Sequence, residues 1–200
     1  MYLALFTIAY NILEGLIATY MGYTDESLTL FGFGLDSFIE VISGSGIAHF
    51  VFRMQQNPNA QHDDFEKTAL HITGFAFYAL VLVLVLTGIY NVIVQHHPET
   101  TFAGLVISLI SIAVMYLLML GKTKVGHQLQ SDAILADAQC TKVCIFMSII
   151  LLLSSAIYEL FNLPYIDSLG TFGLAFLSFR EGKECFEKAN NKSVNCCQHH

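Results

Sequence analysis

Long apolar runs separated by short polar breaks dominate this chain. No Asp, Glu, Lys or Arg occurs from Thr68 to Pro98, or again from Thr100 to Gly121. A bilayer core takes about 20 apolar residues per helix, so each of these runs is long enough to cross one. Runs and breaks together predict six helices, at about 2–22, 27–54, 66–95, 101–121, 131–160 and 165–189. The breaks hold turn and polar residues: Gly22-Tyr23-Thr24-Asp25, Asn57-Pro58-Asn59, His97-Pro98, Gly121-Lys122 and Asn162-Leu163-Pro164. The sixth helix should outrun the bilayer, because Phe179-Arg180-Glu181-Gly182-Lys183-Glu184 turns charged and amphipathic.

Composition narrows the class. The 200 residues are 54% hydrophobic and 12% charged, whereas a globular chain is about a quarter charged. A soluble globule, a disulfide scaffold and a disordered chain are excluded. The expected fold is all-α: a polytopic membrane protein with six transmembrane helices. Met1 to Met21 has neither a basic n-region nor a small-residue cleavage site, so it reads as the first span rather than a signal peptide. Residues 1–189 form the transmembrane domain and 190–200 a short tail. The net charge of −7 makes nucleic acid an unsuitable partner.

Basic residues set the orientation. Arg53 and Lys67 fall in the second loop, Lys122 and Lys124 in the fourth, and Arg180, Lys183, Lys188 and Lys192 at the C-terminal end. The first, third and fifth loops have none, and only Lys142 lies deep inside a span, away from its ends. By the positive-inside rule both termini are cytoplasmic.

A few ionisable groups sit where lipid would penalise them: Glu14, Asp36, Glu40, Asp137 and Lys142, with the thiols Cys140 and Cys144. Asp36 and Glu40 are i and i+4 on the second helix, and Cys140 and Cys144 are i and i+4 on the fifth. The helices run in opposite directions, so the two pairs should meet near the middle of the bilayer. Two thiols and two carboxylates suit a tetrahedral ion such as Zn²⁺, and thiolate shifts preference toward Cd²⁺ and Cu⁺. Buried cysteines also pack simply as small hydrophobes, and spacing does not choose between these readings.

Lys142 lies about 200° around the helix from both cysteines, so it faces away from them, with Glu14 a candidate ion-pair partner. Glu14 and Asn11 form a polar stripe on the first helix that should face the bundle interior. Asp137 either lines a cytoplasmic access path or pairs with Lys67 or Lys122. His62-Asp63-Asp64 and His96-His97 lie in loops, as weak metal collectors or as ordinary solvated residues. The tail residues Cys196, Cys197, His199 and His200 can chelate a soft ion as a possible secondary metal site.

Two segments resemble signatures of the cation diffusion facilitator family. Ser27-Leu-Thr-Leu-Phe-Gly-Phe-Gly-Leu-Asp36-Ser-Phe-Ile-Glu40 is similar to the second-helix motif. Ala136-Asp137-Ala138-Gln139-Cys140-Thr141-Lys142-Val143-Cys144 is similar to the fifth-helix motif, in which an Ala-Asp precedes a His-x-x-x-Asp pair. Tyr165-Ile166-Asp167-Ser168 through Arg180-Glu181-Gly182 looks like the family's last span. The resemblance implies that Asp36, Glu40, Cys140 and Cys144 are the metal ligands, with thiols standing where the family has histidine and aspartate. The family's cytoplasmic metal-binding domain has no counterpart in the sequence, so a homodimer would form through membrane helices such as the apolar third.

The resemblance therefore implies a non-enzymatic secondary transporter in the cell membrane, of a bacterial inner-membrane type. It would export a divalent transition metal, Zn²⁺ first and Cd²⁺ next, in exchange for protons. No G-x-x-x-x-G-K-[ST] motif supplies ATP. A membrane thiol redox protein using Cys140 and Cys144, and a metal sensor without flux, stand as alternatives. Thiols at i and i+4 on an unbroken helix disfavour the redox reading, because they rarely reach disulfide geometry.

Overall fold

The computed structural model describes residues 2–56, 63–94, 101–129, 132–161 and 165–196. Six helices occupy them: α1 (Tyr2–Thr24), α2 (Leu28–Gln56), α3 (Asp63–Val94), α4 (Phe102–Leu129), α5 (Asp132–Phe161) and α6 (Ile166–Cys196). There is no strand among the described residues. Helices α4 and α6 run a turn or two beyond the expected spans. An apolar run reports where lipid ends, whereas a helix ends at a breaker, and Lys122-Thr123-Lys124-Val125 contains none. Lys122, expected in a loop, is consequently helical and buried, and its Nζ donates to Thr141 Oγ1 at 2.9 Å.

The link from α1 to α2 is tight. Asp25 N donates to the Met21 carbonyl at 2.8 Å, and Glu26 takes a left-handed φ of 57°. That conformation costs a non-glycine residue about 1–2 kcal/mol, and it lets the chain reverse within three residues so that α1 and α2 lie antiparallel. Small residues bring them close: a Cβ on Gly22 would fall 2.7 Å from the Phe31 Cα, and one on Gly34 would overlap the Thr19 backbone. Lipid tails are as apolar as leucine, so this kind of close backbone packing holds helices together in a bilayer.

Helices pair chiefly as α1 with α2, α3 with α6, and α4 with α5, while α2 also touches α3, α5 and α6. The core is built on Leu30, Phe33, Phe77, Leu84, Met147, Leu151 and Leu174. Leu13, Leu16, Phe75, Leu86, Ile93, Leu117 and Leu153 stand exposed around the outside. A surface this apolar would aggregate in water; against lipid it is the solvated face. Among the described residues, α1 to α5 are each long and apolar enough to cross a membrane. Helix α6 falls short because Arg180, Glu181, Lys183 and Glu184 interrupt its apolar run. It compensates by lying against α3, α5 and α2, with Ser168, Thr171, Ser178 and Glu181 buried within protein.

Candidate metal centre

The site is framed from one end of the bundle, the outer end by the charge distribution. Asp167, at the start of α6, accepts from Ser27 Oγ (2.7 Å), Leu28 N (2.8 Å) and Thr29 N (3.3 Å). A carboxylate thereby satisfies the donors that the first turn of α2 would otherwise leave unpaired. Thr29 Oγ1 and Thr171 Oγ1 both donate to the Asp167 carbonyl. Ser154 Oγ of α5 donates to the Ile166 carbonyl at 3.1 Å. Leu28, Ser154 and Asp167 therefore stand at one level.

Counting down from that level gives the depth of each candidate. At about 1.5 Å per residue, Asp36 lies about 12 Å in, Cys144 about 15 Å, Glu40 about 18 Å and Cys140 about 21 Å. The carboxylates of α2 and the thiols of α5 thus interleave in depth, as expected from two antiparallel helices whose i, i+4 faces oppose each other.

All four line one small cavity of about 20 Å³, with Phe77, Val143, Met147 and Glu181. That is room for about one water, and its walls are largely apolar. Glu40 is held from two sides: Asn11 Nδ2 donates to its Oε2 at 2.8 Å, and the Cys144 thiol donates to its Oε1. Cys144 Sγ also lies 3.2 Å from the Cys140 carbonyl, one turn back on the same helix. Asp36 is buried, and its Oδ1 has no hydrogen-bond partner. An unsatisfied buried acceptor of this kind costs about 1–3 kcal/mol, which a bound cation would recover. Among the described residues no three His, Cys, Asp or Glu side chains are already gathered as metal ligands. The donors share a cavity, and closing them around an ion needs a further inward step.

Beside this cavity lies a second polar cluster. Tyr10 Oη donates to Glu14 Oε1 at 2.8 Å and Ser37 Oγ to Glu14 Oε2 at 3.2 Å. Ser111 bonds the same carboxylate, and Ser148 Oγ donates to Ser111 Oγ at 3.0 Å. The polar stripe of Asn11 and Glu14 faces the interior, as its spacing indicates. The suggested pairing of Glu14 with Lys142 is not what the structure has. Lys142 is exposed, on the side where α5 meets α6, and Glu14 takes neutral donors instead.

Several candidates fall beyond reach. His62, His96, His97, Cys197, His199 and His200 lie outside the described residues, as do the side chains of Asp63, Asp64, Lys67, Asp137 and Cys196. Sequence reasoning missed two lining or supporting roles. Asn11 was placed on the right face without its partner Glu40. In the sequence Glu181 reads only as part of a charged helix end, and no local pattern signals its burial beside Asp36.

An all-helical bundle with a lipid-facing apolar surface and ionisable groups gathered inside defines a polytopic membrane protein with a polar interior. Residues 4–189 match the cation efflux transmembrane domain. The chain belongs to that family, whose members are metal cation efflux transporters. No curated protein matches the chain.

Proposed function

We propose that the protein exports Zn²⁺ from the cytoplasm by proton antiport, with Cd²⁺ the next best substrate. Asp36, Glu40, Cys140 and Cys144 hold the cation. One observation carries this reading: those four side chains, from two helices, line the same buried cavity, and one Asp36 oxygen there lacks a donor. Thiolate and carboxylate together suit Zn²⁺, while thiols disfavour Mn²⁺ and Mg²⁺.

Proton coupling rests on the same contacts. Ligands must be deprotonated to bind metal, so loading releases protons. The Cys144 thiol already gives its proton to a hydrogen bond with Glu40, and a cation entering the cavity displaces that proton. Exposing the site in turn to each side exchanges metal for protons by alternating access. The setting is a cell membrane of the bacterial inner-membrane type, with both termini cytoplasmic. The tail residues Cys196, Cys197, His199 and His200 collect metal near the cytoplasmic face. Two copies pair through α3, whose outer side carries Ile72, Phe75, Leu82, Leu86 and Ile93.

The test is uptake into proteoliposomes with Zn²⁺, Cd²⁺ and Mn²⁺, with and without a pH gradient. Zn²⁺ and Cd²⁺ flux should rise when the gradient opposes the metal, and Asp36→Ala should abolish it while helicity is retained. Undiminished flux in Asp36→Ala would remove the proposed ligand set.

A further inference from the structure

A second cavity, about 180 Å³, lies between α5 and α6 and is lined by Cys140, Lys142, Val143, Phe146, Leu177, Arg180, Glu181 and Glu184. It shares Cys140, Val143 and Glu181 with the smaller cavity that holds Asp36 and Glu40. Glu181 is 6% exposed. Counted from Asp167 at about 1.5 Å per residue, it lies about 21 Å in, level with Cys140, and Glu184 lies about 25 Å in. Both carboxylates are therefore on the cytoplasmic side of Asp36 and Glu40. Lys142 and Arg180 also line the outer cavity, but both are exposed.

The two volumes differ in what they admit. The outer one has room for several waters, so a hydrated cation can occupy it; the inner one has room for about one. An ion passing between them must shed water, and a hard or borderline cation does so only if another oxygen replaces the water it loses. Glu181 stands at that boundary, facing both volumes. On the far side the unpartnered Oδ1 of the buried Asp36 waits for a positive charge.

We infer that Glu181 is a fifth ligand, the third through oxygen, at the cytoplasmic mouth: it takes the cation from its water shell and hands it to Cys140 and the three deeper donors. The inference rests on the four-ligand reading above and adds a step before it. Glu181 binds in passing, so it sets the rate of loading rather than the final affinity. Its carboxylate raises the local cation concentration, and Glu184, one turn toward the cytoplasm, extends that field.

The full chain in nanodiscs, mixed rapidly with Cd²⁺, tests this through the ultraviolet absorbance of the cadmium–thiolate bond. Glu181→Gln, close in shape to the parent, should slow the rise of that band by about tenfold, as for loss of a steering charge at a cleft. The amplitude at saturating Cd²⁺ should stay the same. Glu181→Asp should recover most of the rate. Glu187→Gln, which removes an exposed carboxylate paired with Lys183 on the same helix, should leave it unchanged. A parent-like rate in Glu181→Gln, or equal slowing in Glu187→Gln, overturns the role of Glu181 alone. Absence of any thiolate band in the parent chain overturns the four-ligand reading, and this step with it.

Discussion

Glu40 is aimed by a neutral amide and a thiol. The Asn11 amide fixes one oxygen, and the Cys144 thiol takes the other. A supporting donor of this type orients a ligand before the metal arrives. Asn11→Ala should therefore weaken Cd²⁺ binding by about 10–100-fold, the usual effect of losing a ligand's supporting partner, with the helical content unchanged. Titration followed by cadmium–thiolate absorbance measures it. In the proposed site the thiols would set selectivity. The double change Cys140→His with Cys144→Asp replaces soft donors by borderline and hard ones. Transport of Zn²⁺ should persist while Cd²⁺ falls behind it by about tenfold, a shift of about 1.4 kcal/mol in relative affinity. Competition uptake with both ions reads this directly, and unchanged discrimination would return the two cysteines to the role of core packing.

At the scale of elements, Asp167 ties the start of α2 to the start of α6. Asp167→Ala leaves Leu28 N and Thr29 N without their acceptor and removes the partner of Ser27 Oγ. Loss of a helix cap costs about 0.5–2 kcal/mol, and this one joins two helices, so the upper end of that range is expected. A lowered midpoint of thermal unfolding, followed by circular dichroism in detergent, would show it. The helices themselves were legible because lipid imposes one rule on every span, a long apolar run. Where protein replaces lipid the rule weakens, which is why α6 is helical yet too charged to be recognised by apolarity alone. The meeting of the two pairs, seen in the Cys144–Glu40 contact, followed from the i, i+4 spacing. The capping carboxylate at Asp167 did not, because its partners lie 140 residues away for Ser27, and no local pattern encodes such a distance. The same holds for Glu181, whose meaning depends on which helix stands opposite.

At the scale of the whole molecule, the proposed dimer would use the apolar outer side of α3. It bears Ile72, Phe75, Leu82, Leu86 and Ile93, while its other side is occupied by α6. Mild-detergent and nanodisc preparations should contain dimers. Cysteine pairs introduced at Leu82 or Leu86 should cross-link between copies, whereas a monodisperse monomer in both media would count against this contact. Hydrogen bonds between α4 and α5, from Lys122 to Thr141 and from Ser148 to Ser111, bind these two helices to each other. Asp167 does the same for α2 and α6. The thiols consequently lie on the α4–α5 pair and the carboxylates on α2, tied to α6. The Cys144–Glu40 hydrogen bond is one of the contacts that cross between these two parts, beside Ser154 with Ile166. A carrier loaded with metal has an ion bridging the two parts, and a protonated carrier has this hydrogen bond in the same place. A carrier stripped of both sets thiolate against carboxylate, and like charges push the parts apart. In the proposed antiport only the two occupied forms would be closed enough to turn around, so an exchanger built on this contact would idle rather than leak.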